Sequence, residues 1–109
     1  MTFSETLAQR IRDQLYPLIT AEEKKMFGGI SFMVNGNMAV GVIRDDMIVR
    51  VGLEKYERTL RKPGVDLFKP TGKPMAGWVT VASDGYQTDE DLKYWIELAL
   101  EFVNTLPAK

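Results

Sequence analysis

The ionisable side chains of this chain limit the chemistry that it could perform. Its 109 residues contain no cysteine and no histidine, which excludes thiolate nucleophiles, histidine-dependent triads and metal sites built on either residue. Neighbouring carboxylates, a remaining means of acid–base catalysis, occur at Glu22-Glu23, Asp45-Asp46 and Asp89-Glu90-Asp91. Each group falls in a predicted turn or helix end, where acidic residues commonly serve the structure. We therefore expect a protein that is not an enzyme and uses no metal or cofactor.

Two glycine motifs could instead hold an anion. Thr71-Gly72-Lys73 is similar to the end of a phosphate-binding loop, but an earlier glycine is missing at the required spacing, and Pro74 replaces the hydroxyl residue. Gly28-Gly29 could present backbone amides to a small ligand, although paired glycines in a strand more often mark a bulge or a close backbone contact. A small-ligand site at Gly28-Gly29 remains an alternative.

The composition predicts a single domain spanning residues 1–109. The 14 basic and 15 acidic residues give a net charge of -1, so the chain has no general attraction for nucleic acid or anionic lipid. A chain of this length can bury a core without disulfide support. No signal peptide or membrane-spanning run is apparent, and we expect a cytoplasmic protein.

The first part of the chain predicts an amphipathic helix. Ser4 has the character of an N-cap, and apolar residues then recur at helical spacing as far as Pro17, which marks the last turn or a kink. Arg10 and Arg12 are expected on the solvated face. A capping-box pattern over residues 20–23 predicts one further helical turn.

A β-hairpin centred on Asn35-Gly36 is the strongest local signal. Asn-Gly between two apolar runs favours a type I′ turn, because both residues tolerate positive φ. The runs 25–34 and 37–43 then pair as antiparallel strands. A second turn at Asp45-Asp46 leads to a third strand over 47–51.

Strict alternation in these strands places apolar side chains on both faces of the sheet. The two-residue turn at Asn35-Gly36 sets the register and pairs Phe32 with Ala39 and Ile30 with Gly41. The face expected under the helices carries Met33, Met38, Val40, Val42, Met47, Val49 and Val51. The other face carries a predicted interaction surface made of Ile30, Phe32, Ile43, Ile48, Arg50 and Trp78. Arg50 could lie over the Trp78 ring or pair with an acid across the contact. The alternative is that the first helix or the loop over 65–75 folds back and covers this face.

The remaining elements complete an α+β domain. A helix over 53–62 buries a stripe of Leu53, Tyr56 and Leu60, and a loop over 65–76 contains two prolines and a glycine. An alternating strand follows over 77–82. The last helix runs from Asp89 to about Thr105 and buries Trp95.

Several short motifs, taken in order, resemble the TfoX N-terminal domain family from about residue 26 to residue 100. They are Lys25-Met26-Phe27-Gly28-Gly29, Asn35-Gly36, Ile48-Val49-Arg50-Val51-Gly52, Gly72-Lys73-Pro74-Met75, and Leu92 with Trp95 in the last helix. The resemblance implies a two-layer α+β fold of the secretion-chaperone-like kind, with helices packed on an antiparallel sheet. It supplies no catalytic residues.

The resemblance also implies a function, which we weigh against two alternatives. Two-domain members are bacterial competence regulators with a helical C-terminal domain, and because this chain ends at Lys109 we expect a stand-alone N-terminal domain. The favoured function is a non-enzymatic regulatory or adaptor domain that binds a protein partner or a second copy of itself. The alternatives are nucleic-acid binding through the basic segment 55–73 and a small ligand at Gly28-Gly29.

Overall fold

A computed structural model describes residues 3–26 and 28–109 of the chain. Its helices are α1 (Glu5–Leu15), α2 (Leu53–Leu60) and α3 (Asp89–Val103), and a short 3-10 turn covers Ser83–Gly85. The strands are β1 (Glu22–Met26), β2 (Gly29–Val34), β3 (Asn37–Ile43), β4 (Asp46–Arg50), β5 (Val65–Leu67) and β6 (Trp78–Val81).

The strands form one antiparallel sheet in the order β1-β2-β3-β4-β6-β5. All three helices pack on the same face of this sheet, where one continuous core contains Phe32, Val49 and Trp95. The predicted α+β class, with helices layered on an antiparallel sheet, is therefore confirmed. The other face carries no helix within the described residues.

Several local predictions are confirmed by the backbone. Asn35 and Gly36 adopt φ values of 53° and 81°, as a type I′ hairpin turn requires. Ser4 accepts a hydrogen bond from the amide of Leu7 and so caps α1. Val79 and Val81 of β6 point into the helix-side core, whereas Trp78 lies on the opposite face.

Three element predictions are wrong. Residues 20–23 do not form a helical turn, because Glu22–Met26 pairs with β2 as an edge strand and thereby satisfies its backbone groups in the sheet. The predicted 65–76 loop contains the short strand β5, paired with β6. The turn after β3 lies at Arg44-Asp45, so that Ile43 faces Asp46 instead of Ile48.

A β-bulge in β3 overturns the predicted division of the sheet faces. Met33 faces Met38, but the next pair is Phe32 with Val40, which leaves Ala39 without a partner across β2. Ala39 and Val40 consequently both lie in the helix-side core, while Met38 lies on the opposite face.

The bulge inverts the faces assigned to β2. Ile30 and Phe32, predicted for the interaction surface, belong to the helix-side core, and Phe32 has no exposed surface. Met33 and Met38, predicted under the helices, lie on the helix-free face. Strict alternation could not show this, because one extra residue in a strand exchanges the two faces beyond it.

Candidate functional site on the helix-free face

Most of the methionine side chains of the chain lie on the face of the sheet opposite the helices. Its buried centre consists of Met38, Ile48 and Phe68. Around it lie five partly buried side chains, Met26, Met33, Ile43, Met75 and Trp78. We call these eight residues the methionine face, because they include four of the six methionines in the sequence.

The loop between β5 and β6 covers the centre of the methionine face. Phe68 is 3% exposed, and its ring centroid lies 6.3 Å from that of Trp78. The loop is tied down by its own backbone, since the amide of Met75 donates to the carbonyl of Phe68 at 2.9 Å. Part of the face is therefore closed by the chain itself, and the remaining methionines form a half-exposed border.

The predicted interaction residues divide between two environments. Ile43, Ile48, Arg50 and Trp78 lie on the helix-free side of the sheet, as expected. Ile48 is almost fully buried beneath the covering loop, so it supports the face without being available at its surface. Ile30 and Phe32 are excluded from this surface by the bulge.

Arg50 makes the aromatic contact that its position predicts. Its guanidinium carbon lies 4.8 Å from the ring centroid of Trp78 and 5.3 Å from that of Phe102 in α3. Burial lowers the pKa of Arg50 below its ordinary value. Among the described residues no carboxylate lies within ion-pair distance of Arg50, so cation–π contacts hold this charge.

A groove of about 480 Å³ borders the methionine face next to Ile48 and Phe68. Its charged lining contains both signs, with Arg44 and Lys69 on the basic side and Asp46 and Asp66 on the acidic side. Burial, and then the neighbouring Asp45, raise the pKa of Asp46 above its ordinary value.

The edge strand β1 adds a further pair of opposite charges. Glu22 pairs with Met33 and Lys24 pairs with Ser31, so both charged side chains share the helix-free side with Met33. Both residues are exposed. The rim of the methionine face therefore offers acids and bases in similar number.

On the helix side of the sheet, β1 contacts α1 through Glu23. Arg12 donates two hydrogen bonds to the carboxylate of Glu23, at 2.8 and 2.9 Å, and the hydroxyl of Tyr16 donates to the same carboxylate. The hydrogen bonds from Arg12 contribute most to lowering the pKa of Glu23. Arg12 was predicted as a solvated charge; it stays near the surface but is half-buried in this ion pair, because Glu23 lies in β1 and not in the helical turn predicted over residues 20–23.

The glycine motif has a structural role at both described positions. Gly28 has a φ of 77° in the turn between β1 and β2. A Cβ on Gly29 would overlap the carbonyl oxygen of Val42 in β3, so only glycine fits at this point. Phe27 lies outside the described residues.

The second family motif approaches the same face from the covering loop. Lys73 and Pro74 are exposed, whereas Met75 packs against the cluster that also receives Met26. The two motifs, about fifty residues apart in sequence, therefore contribute methionines to one surface. Strict alternation in the sequence places Met33 and Met38 together but under the helices, because it does not reveal the bulge, and it assigns Met26 and Met75 to neither face.

Metal-binding clusters and membrane-spanning helices are two features that the described part of the chain lacks. Within residues 3–26 and 28–109, no three acidic side chains converge in a manner suited to a metal ion. None of the helices in this part of the chain combines the length and apolar content needed to cross a bilayer. What the geometry provides is an adaptable apolar surface with a mixed charged rim.

Comparison with known proteins identifies the family. No curated protein and no solved structure matches the chain. The sequence model of the TfoX N-terminal domain, by contrast, matches residues 13–103, which include every element from the end of α1 to the end of α3. The chain therefore belongs to the TfoX N-terminal domain family.

Proposed function

We propose that the protein is a non-enzymatic regulatory or adaptor domain that acts by protein–protein binding through the methionine face, with a second copy of the chain as the first occupant. The observation that carries this proposal is the convergence of four of the six methionines on the side of the sheet without helices. Methionine is flexible and polarisable, and it is frequent on surfaces that adapt to a partner.

The half-exposed border of the face supports a binding role. Met26, Met33, Ile43 and Trp78 are each only partly buried, although they adjoin one apolar cluster. Contiguous apolar surface is unfavourable in water, and methionine and tryptophan are enriched where proteins meet. A partner that covers this border would gain from its burial without any change in the core.

The charges of the rim favour a second copy. In a twofold interface, residue i of one copy contacts residue j of the other and the reverse, so a charged rim away from the axis is self-complementary only if it carries both signs. The rim meets this requirement with the acids Glu22, Asp46 and Asp66 and the bases Lys24, Arg44 and Lys69.

The proposal can be tested with methionine methyl groups labelled with ¹³C. In a dilution series from millimolar to micromolar protein, we expect the signals of Met26, Met33 and Met75 to change with concentration. Met47 provides an internal control, since it is fully buried in the helix-side core. A monomeric mass at the highest concentration, with unchanged face methyl signals, would exclude the second copy as occupant.

A charge-insertion variant tests the same face by mass. Met33→Glu combined with Ile43→Lys places charges at two half-buried border positions, and we expect a folded monomer by light scattering. Leu18→Glu, at a position 59% exposed outside the face, should associate like the wild type. Persistence of the dimer in the double variant would contradict the proposal. Phe32→Glu is unsuitable for this purpose, because Phe32 belongs to the core.

A further inference from the structure

A second groove lies on the helix side of the molecule, away from the methionine face. It runs between the first turn of α2 and the end of α3, with a volume of about 410 Å³. Small-molecule sites commonly have volumes of this order. Its floor is the buried Val51, and its apolar walls are Leu53 and Phe102.

Leu53 leaves an apolar wall of this groove open to water. The sequence predicts Leu53 in a buried stripe with Tyr56 and Leu60, but only the latter two pack against the core. Leu53 is 71% exposed. A molecule seated in the groove would remove this side chain from water, which is favourable in proportion to the apolar area covered.

Glycine at position 52 sets the shape of the groove before any ligand is present. Gly52 has a φ of 84°, which turns the chain into α2 and directs Leu53 outward. The ring of Phe102 lies directly against Gly52, where a Cβ would approach the ring carbon Cε1 to 2.6 Å. Arg50 contacts the same ring, so its orientation is held from a second direction. The aromatic wall is therefore preformed.

The polar groups of the groove are mostly bonded to one another. Lys55 and Glu101 form an ion pair, and the hydroxyl of Thr105 donates to the carbonyl of Phe102 at 2.6 Å. The remaining carboxylate, Glu54, adds negative charge to the lining. An anionic ligand would be repelled here, whereas the Thr105 oxygen keeps lone pairs that can accept a hydrogen bond.

From these features we propose that the groove binds a neutral aromatic molecule of one or two fused rings. The ring would pack between Leu53 and Phe102, and an N–H or O–H group on it would donate to Oγ1 of Thr105. The proposal is independent of the methionine face, so a result against one leaves the other standing.

Titration of ¹⁵N-labelled protein with indole tests the proposal. We expect saturable shifts in the amide signals of Gly52, Leu53, Phe102 and Thr105. Leu53→Asp should weaken indole binding roughly tenfold, because it replaces an apolar wall by a charge. Leu18→Asp, which alters another exposed leucine, is the matched control and should bind indole like the wild type.

Two further measurements test the chemistry of the ligand. Indole-3-acetate should bind more weakly than indole, since its carboxylate would lie near Glu54 and Glu101. Thr105→Val should weaken indole but leave naphthalene unaffected, because naphthalene has no donor; this variant also serves if Leu53→Asp fails to fold. Shifts that do not saturate, that map to another surface, or that are equal in the two leucine variants would overturn the proposal.

Discussion

At the scale of single residues, Glu23 is the side chain that joins the first helix to the edge of the sheet. It accepts hydrogen bonds from Arg12 in α1 and from Tyr16, the C-cap residue one turn further along the chain. Tyr16 also places its ring 6.4 Å from that of Phe32, in an edge-on arrangement. The edge strand β1 pairs with β2 on one side only. The contacts of Arg12 and Tyr16 with Glu23 and the ring contact of Tyr16 with Phe32 therefore attach this edge of the sheet to the end of α1.

This contact predicts a specific dependence of stability on pH. The hydrogen bonds from Arg12, followed by that from Tyr16, lower the pKa of Glu23 from its ordinary value of 4.5. A lowered folded-state pKa stabilises the folded form above that ordinary value, and the stabilisation is lost as the pH falls through the lowered pKa. Because the carboxylate is partly exposed, we expect a contribution of about 1 kcal/mol at neutral pH.

Urea unfolding of Glu23→Gln and the wild type at neutral and at acidic pH measures this effect. The two proteins should differ near neutral pH and become alike in acid, once the wild-type carboxylate is protonated. Glu57→Gln, on the exposed surface of α2, should match the wild type throughout. A difference between Glu23→Gln and the wild type that stays constant with pH would contradict the role assigned to the charge.

At the scale of elements, the adjacent residues Gly28 and Gly29 are predicted to differ in how much stability is lost when each is replaced by alanine. Gly28→Ala places a Cβ in open space and costs only the positive φ, about 1–2 kcal/mol. Gly29→Ala drives a Cβ into the backbone of β3 and should be clearly more destabilising, because backbone cannot move aside as a side chain can. Denaturant midpoints of the two variants measure this order, and equal losses would show that β2 and β3 do not approach so closely.

The elements also show which structural features could be predicted from the sequence. The helices α1 and α3 could be predicted because their apolar spacing and, for α1, the N-cap Ser4 are local signals. The hairpin at Asn35-Gly36 was accessible for the same reason. The bulge at Ala39 was not, because alanine has no turn preference and the extra residue is defined only by the partner strand.

The candidate site could likewise be predicted only where its residues depend on local sequence signals. Ile48, Arg50 and Trp78 were placed on the correct side of the sheet because β4 and β6 alternate without interruption. Ile43 was placed correctly because it lies beyond the bulge in β3, where regular alternation resumes. The strand β1 was missed because its sequence, Glu-Glu-Lys-Lys-Met, has neither the apolar alternation nor the branched residues that usually indicate a strand. Its pairing depends on β2 and on the contacts of Glu23, which are long-range in sequence.

At the scale of the whole molecule, the uneven distribution of charge bears on nucleic-acid binding. The exposed bases of segment 55–73 are Arg58, Arg61, Lys62, Lys69 and Lys73. Lys62 lies 5.0 Å from the Tyr94 ring in the acidic helix α3, and Lys55 of the same segment pairs with Glu101 there. Lys69 instead lines the groove beside the methionine face. Among the described residues, the bases of this segment are therefore divided between two sides of the sheet, whereas single-stranded nucleic acid uses a continuous basic groove with aromatic rings for stacking.

We therefore expect no stable nucleic-acid complex at physiological salt. Fluorescence anisotropy with labelled duplex and single-stranded DNA, at low and at physiological salt, would measure this, and any binding at low salt should disappear steeply as salt is added. A complex that survives physiological salt and is lost in Arg58→Glu combined with Arg61→Glu would establish nucleic-acid binding through α2 instead.

The bulge at Ala39 has a consequence for how the chain tolerates changes in its length. Because Ala39 is the surplus residue of β3, its deletion would restore regular alternation while every other side chain keeps its present side of the sheet. Removing Gly41 instead would exchange the sides of Val42 and Ile43, sending a branched core residue toward water. A one-residue change in a strand normally moves the side chains beyond it to the other face. At Ala39 a single residue of β3 can be lost while its neighbours keep their sides, and the loss to the helix-side core is one buried methyl group.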